Sequence, residues 1–214
     1  MLWPKNFSSG AAMIVGDPSA FAIESEISCA FERVSFRALG FFVIHLGGKI
    51  YGVKSADATL LACSFEQVGT RIAARGKHVA PFSCHRDSGK IADAITSAIY
   101  GPESDDINSL GVSQTEVREV AHSNGVVWAP DGDEAFDDGS CVLQFDFENR
   151  VRLIGFKRKN HRHEPSTLQD VWLEADSFYR LLSQWRSEFL AAWAAAPKQA
   201  TAISKGEAES WLKA

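Results

Sequence analysis

Phe21, Ile23 and Ile27 alternate with Glu24 and Glu26. That two-residue period predicts a strand with one wet face. Gly16-Asp17-Pro18 ahead of it is a turn: Gly tolerates positive φ, Asp closes an Asx-turn and Pro fixes φ. Phe36 to Leu46 is rich in Phe, Val and Ile, and Gly47-Gly48 predicts a tight hairpin into Lys49 to Lys54. The period then lengthens. Phe65, Val68 and Ile72 share a helical face, with Ser64 as the expected cap, Gln67 as its capping-box partner and Gly76 as the stop. A second helix is expected from Ser88 to Tyr100, where Ile91, Ala94, Ile95, Ala98 and Ile99 form an apolar stripe ended by Gly101-Pro102.

Periodicity fades between Glu103 and Asn124, where only Thr115 to Ala121 suggests a short strand in an exposed connector. Alternation returns with Cys141, Leu143, Phe145 and Phe147 on one face and Gln144, Asp146 and Glu148 on the other. Glu148-Asn149 supplies the turn, Val151 to Arg158 the return strand, and Leu168 to Leu173 a further strand. The last helix is the longest: Asp176 is its expected cap, Phe178, Leu181, Leu182, Trp185, Phe189 and Trp193 keep helical spacing, and Pro197 closes it. The sum is an α+β fold. A mostly antiparallel sheet, built from a meander plus a hairpin, carries two central helices and one long C-terminal helix. Residues 13–197 read as one domain, 1–12 as a flexible extension (or the product of an upstream start codon, with Met13 as the native start), and 198–214 as a tail.

Composition narrows the class. The 214 residues are 45% hydrophobic and 23% charged, a globular balance in a chain long enough for a core without disulfide or metal. No apolar run approaches the ~18 residues of a membrane span. The first twelve residues lack the apolar segment of a signal peptide. The four cysteines are scattered without Cys-x-x-Cys, so free thiols, no cofactor and a cytoplasmic location are expected. A net charge of −5 argues against nonspecific binding to nucleic acid or anionic lipid, and it is compatible with a basic protein partner.

Two charged clusters stand out. Asp131, Asp133, Glu134, Asp137 and Asp138 concentrate carboxylates just ahead of the hairpin. The plain reading is a solvated acidic turn. The functional one is a surface presented to a cationic partner, with Trp128 as its aromatic anchor. The spacing does not match a calcium-binding EF-hand loop. The opposite pole, Lys157-Arg158-Lys159-Asn160-His161-Arg162-His163, reads as a charged strand end, with phosphate binding as its functional alternative. His161, His163 and Glu164 lack a third metal donor tied to them, and Cys84-His85 is adjacent only in sequence. No Gly-x-Ser-x-Gly and no Gly-rich phosphate loop is present.

Identity of residues adds what periodicity cannot. The opening Met13-Ile14-Val15-Gly16-Asp17-Pro18, followed by Phe21-Ala22-Ile23-Glu24, resembles that of the immunity protein 42 family of bacterial polymorphic-toxin systems. Gly40, Phe42, Leu46 and Gly48 are similar to a second block of that family, with Leu46 where Ile is expected. Gly52 with Thr59-Leu60 resembles a third, and Asp138-Gly139-Ser140 and Val151-Arg152-Leu153-Ile154 extend the likeness, which runs from Met13 to about Trp193. The resemblance implies a role and no catalytic site: a non-enzymatic antitoxin that binds a cognate toxin domain, such as a basic nuclease-like protein, stoichiometrically. Two other classes stand beside it, an enzyme with a dispersed hydrolase-like site and a nucleic-acid-binding module using the basic segment.

Overall fold

The computed structural model describes residues 12–104, 106–128, 134–160 and 162–199. It opens on an antiparallel meander of β1 (Met13–Asp17), β2 (Phe21–Phe31), β3 (Ala38–Leu46) and β4 (Lys49–Tyr51). The segment before the first turn is itself a strand, in register from Met13↔Ser25 to Asp17↔Phe21, so Gly16-Asp17-Pro18 lies in a hairpin. Gly47 and Gly48 take φ of 57° and 79°, the mirror-image turn whose twist matches that of the strands it joins. β5 (Thr59–Leu60) continues the β4 side of β3. The expected flexible extension lies outside the described residues, as does the tail beyond Gln199. Lys198–Gln199 form β10, paired in parallel with Ala30 and Phe31 of β2.

A second sheet is centred on β7 (Arg150–Lys159), with β6 (Ser140–Asp146) on one side and β8 (Arg162–His163) and β9 (Gln169–Glu174) on the other. Its two faces feed two cores. Val142, Val151 and Leu153 join Ile23, Phe42 and Ile44 of the first sheet, together with α1 (Leu61–Ala73) and α4 (Ala175–Ala195). Cys141, Leu143, Phe145, Ile154 and Phe156 pack instead against α2 (Ser88–Tyr100) and α3 (Gln114–Ser123). Apolar side chains on both faces make this sheet an internal layer. Gln144 and Asp146, on the face opposite Leu143 and Phe145, are therefore buried as well.

Four further local expectations are corrected. α1 begins at Leu61, and Ser64 sits buried inside it rather than capping it, because the apolar face starts a turn earlier. Residues read as a short strand form α3, whose N-terminus is closed by the Ser113 hydroxyl accepting the Glu116 amide at 3.2 Å. Glu174, not Asp176, caps α4, accepting the amides of Asp176 and Ser177 at 3.0 and 2.6 Å. Glu24 is not on a wet face: it is buried between Lys54 and His45, at 2.7 and 2.8 Å. α2 keeps its expected span, with Asp87 accepting the Lys90 amide. Gly69 inside α1 lies under the Arg186 guanidinium of α4, which rests over Phe65 and would have to swing aside for a Cβ 2.8 Å away.

Cys29 and Cys141 are buried, whereas Cys63 and Cys84 are exposed. Burial raises the thiol pKa of Cys29 and pushes that of Cys141 up to about 12. Since the thiolate is the reactive form, a disulfide reagent at pH 8 should titrate Cys63 and Cys84 rapidly and the other pair only in denaturant. Four fast thiols would contradict the packing of β2 and β6.

Candidate partner-binding surface

The acidic segment is pinned by its apolar members. A 3-10 turn over Glu134–Phe136 buries Ala135 and Phe136, and the Phe136 ring meets Phe42 edge-on at 6.4 Å. The Ala135 carbonyl accepts the Val53 amide at 2.7 Å, and Gly139 bonds back to Phe136 and forward to Arg158. Glu134 and Asp137 thus stand exposed on a fixed support, and no cation pairs with them among the described residues. Asp138 is committed: it accepts the Ser140 amide at 3.0 Å and the Lys157 ammonium at 2.6 Å. Burial pushes its carboxyl up, but Lys157 and Ser140 outweigh that and hold it below the usual carboxylate range. Asp131 and Asp133 lie outside the described residues.

Trp128 does not stand at the rim. It is 2% exposed, stacked near Phe42 at 6.4 Å with the Arg71 guanidinium 4.4 Å over its ring. Its amide donates to Val142, so the segment before the acidic loop closes the free side of β6. The aromatic expected as an anchor belongs to the core.

What holds this segment is a buried polar network with no obvious signature in the sequence. Arg71 donates to the carbonyls of Gly125 and Val127, at 3.1 and 2.6 Å, and to the Gln144 side-chain oxygen at 3.1 Å. The Gln144 amide donates onward to Asp146 and to the Tyr179 hydroxyl. Tyr179 in turn donates to Asp146 at 2.8 Å, which also accepts the Gly76 amide at 2.7 Å. Burial drops the Arg71 guanidinium to about 9, with Tyr179 and Asp146 pulling the other way. Burial and the neighbouring Asp146 carboxylate raise the Tyr179 phenol. These bonds tie α1, β6 and α4 to two loops, around Gly76 and Gly125–Val127. The arrangement is a brace for residues 125–128.

The basic segment is dispersed rather than gathered. Lys157 pairs with Asp138, Arg158 lies 3.7 Å over the Tyr100 ring, and His163 bonds Asp93 at 2.7 Å. His161 lies outside the described residues. His85 bonds within its own turn, to the backbone of Asp87. Among the described residues no three His, Cys, Asp or Glu side chains come together as a metal site.

Sequence reasoning also missed the pairing of Arg152 with Asp170. It is bidentate at 2.9 and 2.6 Å, and Arg152 donates further to the carbonyls of Ser83 and His85. The two partners are opposite in charge and lie on strands the sequence predicts, but the pairing of β7 with β9 that brings them together is visible only in the structure. Above this pair, Trp172 is 38% exposed.

The comparisons with known proteins meet this geometry. Among the described residues no helix is long and apolar enough to cross a membrane. A crystal structure of CdiI from Burkholderia dolosa is similar in fold, with a TM-score of 0.52 and 17% identity over 82% of this chain and 99% of that one. No curated protein matches the sequence. The family model for immunity protein 42 matches residues 13–188, from the first strand of the meander into α4. The chain therefore belongs to the immunity protein 42 family, and its role is that of an immunity protein.

Proposed function

We propose that this immunity protein neutralises its cognate toxin domain by stoichiometric occupation of the toxin surface, in the cytoplasm and without turnover. The observation that carries the reading is the division of its polar groups. Arg71, Gln144, Asp146, Tyr179 and Arg152 are spent on internal hydrogen bonds, while Glu134 and Asp137 are offered outward from a turn anchored in the core.

Glu134 and Asp137 then act as an acidic corner facing a basic partner, as a nuclease-like toxin would be, with Asp131 and Asp133 next to them in sequence and Asp138 already paired with Lys157. With a net charge of −5 behind it, the corner acts chiefly on the rate of encounter. Fields from exposed charges reach about 8–10 Å at physiological salt and steer association more than they hold a complex. Trp128 plays no contact role in this proposal, since its ring is covered.

Co-production with the cognate toxin should rescue growth. Glu134→Lys combined with Asp137→Lys should slow association about tenfold at low salt and flatten its salt dependence, with thermal stability unchanged. An association rate indifferent to both reversals would remove the corner from the interface.

A further inference from the structure

We propose that the outer edge of β9 receives an extended segment of the toxin as an added strand, with Trp172 as its anchor. This rests on the toxin-binding reading above and concerns a surface distinct from the acidic corner.

The phase of the ladder identifies the main-chain groups that pair with nothing among the described residues. Ala175 donates to Asn149 on one side of the β7 end, and Phe147 donates to Arg150 on the other, which fixes the alternation along β7. Gln169, Val171 and Leu173 therefore spend their main-chain groups on β7, while Asp170 and Trp172 point theirs away from the sheet. The opposite edge of this sheet is already closed, because Trp128 donates to Val142 and Gln144 to Val126. Natural edge strands are usually blunted by lysine, proline or a bulge. β9 runs Gln-Asp-Val-Trp-Leu-Glu in unbroken register and has none of these. β1, an edge of the first sheet, keeps its register to β2 but departs from strand conformation at Gly16, where φ is 109°.

The side chains favour a partner strand over water. Val171 and Leu173 pack on the first core, so the exposed side belongs to Asp170, Trp172 and Glu174. Arg152 neutralises Asp170, and the Glu174 carboxylate is occupied by two helix amides. Trp172 is left as an apolar platform, with the Phe147 ring 4.9 Å away and the Arg150 guanidinium 4.8 Å from its own ring. Arg150 is exposed and has no carboxylate partner among the described residues. The fitting occupant is an extended toxin segment that hydrogen-bonds to Asp170 and Trp172, lays an apolar residue on the platform and brings a carboxylate to Arg150. Strand addition of this kind draws affinity from main-chain bonds and specificity from alternate side chains.

Amide hydrogen exchange of the full chain, alone and with an inactivated cognate toxin domain, tests the assignment. The expected result is at least tenfold slower exchange at Asp170 and Trp172 in the complex. Trp172→Lys should weaken binding by about 30-fold or more, mainly through faster dissociation, as for an interface anchor. A tight complex with unchanged exchange at both amides would overturn the edge proposal and leave toxin neutralisation standing. Protection that rises with the concentration of this chain alone would name a second copy as the occupant and overturn it too. No complex at all would overturn both readings. The exchange measurement uses the unmodified chain, so it decides even if the lysine variant fails to fold.

Discussion

Asp146→Ala is expected to cost about 3–5 kcal/mol of stability, a large share of the roughly 5–15 kcal/mol that holds a domain of this kind. The carboxylate is buried at the end of β6 and accepts from Tyr179, Gln144 and the amide of Gly76. Alanine would strand those donors in the interior, where each unsatisfied group costs about 1–3 kcal/mol. It would also remove a carboxylate whose attraction partly offsets the burial of the Arg71 cation. Asp146→Asn keeps an acceptor and nearly the same volume, so it should fall well short of the alanine loss. Urea denaturation of the three proteins reads the difference directly. An alanine variant within 1 kcal/mol of the parent would mean that the network is not maintained in solution.

Trp185→Ala should be comparably severe, at about 3–5 kcal/mol, for a different reason. The indole is fully buried on α4, edge-on to Phe42 at 5.1 Å and stacked on Phe189 at 5.4 Å. Its ring nitrogen donates to the Ser25 hydroxyl on β2 at 3.0 Å. Truncation opens a void where helix and sheet meet, and neither can move in without breaking its own register. Trp185→Phe retains most of the ring contact and loses the bond to Ser25, with an expected cost of about 1–2 kcal/mol. If the two variants proved equally damaging under thermal or urea melting, the hydrogen bond rather than the packing would be the main contribution.

Elements defined by one strong local signal were legible before the structure. Gly47-Gly48 demands a turn whatever surrounds it. The Ile91-to-Ile99 stripe has one helical solution, and its observed bounds are Ser88–Tyr100. α3 was misread because Val117 and Val120 suggest a strand, although Ser113 and Glu116 are spaced as a capping box and gave the missing cue. Polar positions were the harder class. Alternation says that Glu24, Gln144 and Asp146 face away from their apolar neighbours. It cannot say whether that side meets water or, as here, Lys54 and His45 in one case and Arg71 with Tyr179 in the other. The partners lie 21 to 73 positions away, so only the tertiary fold brings them together. Tryptophan exposure was equally unreadable: Trp128 sits in a Val-Val-Trp context beside a charged loop and is core, whereas Trp172 in a regular strand is partly open.

The meander's middle strand, β2, accepts its last neighbour from Lys198–Gln199, and Trp185 completes the layer between the two sheets. Synthesis runs the other way: β1 to β3 leave the ribosome long before α4 exists. Until then their apolar inner face has no lid, and the contacts that close it span most of the chain, a topology that folds slowly. The inner face of the meander is therefore covered only once α4 has been made, and an immunity protein of this topology acquires its finished surface late in its own synthesis.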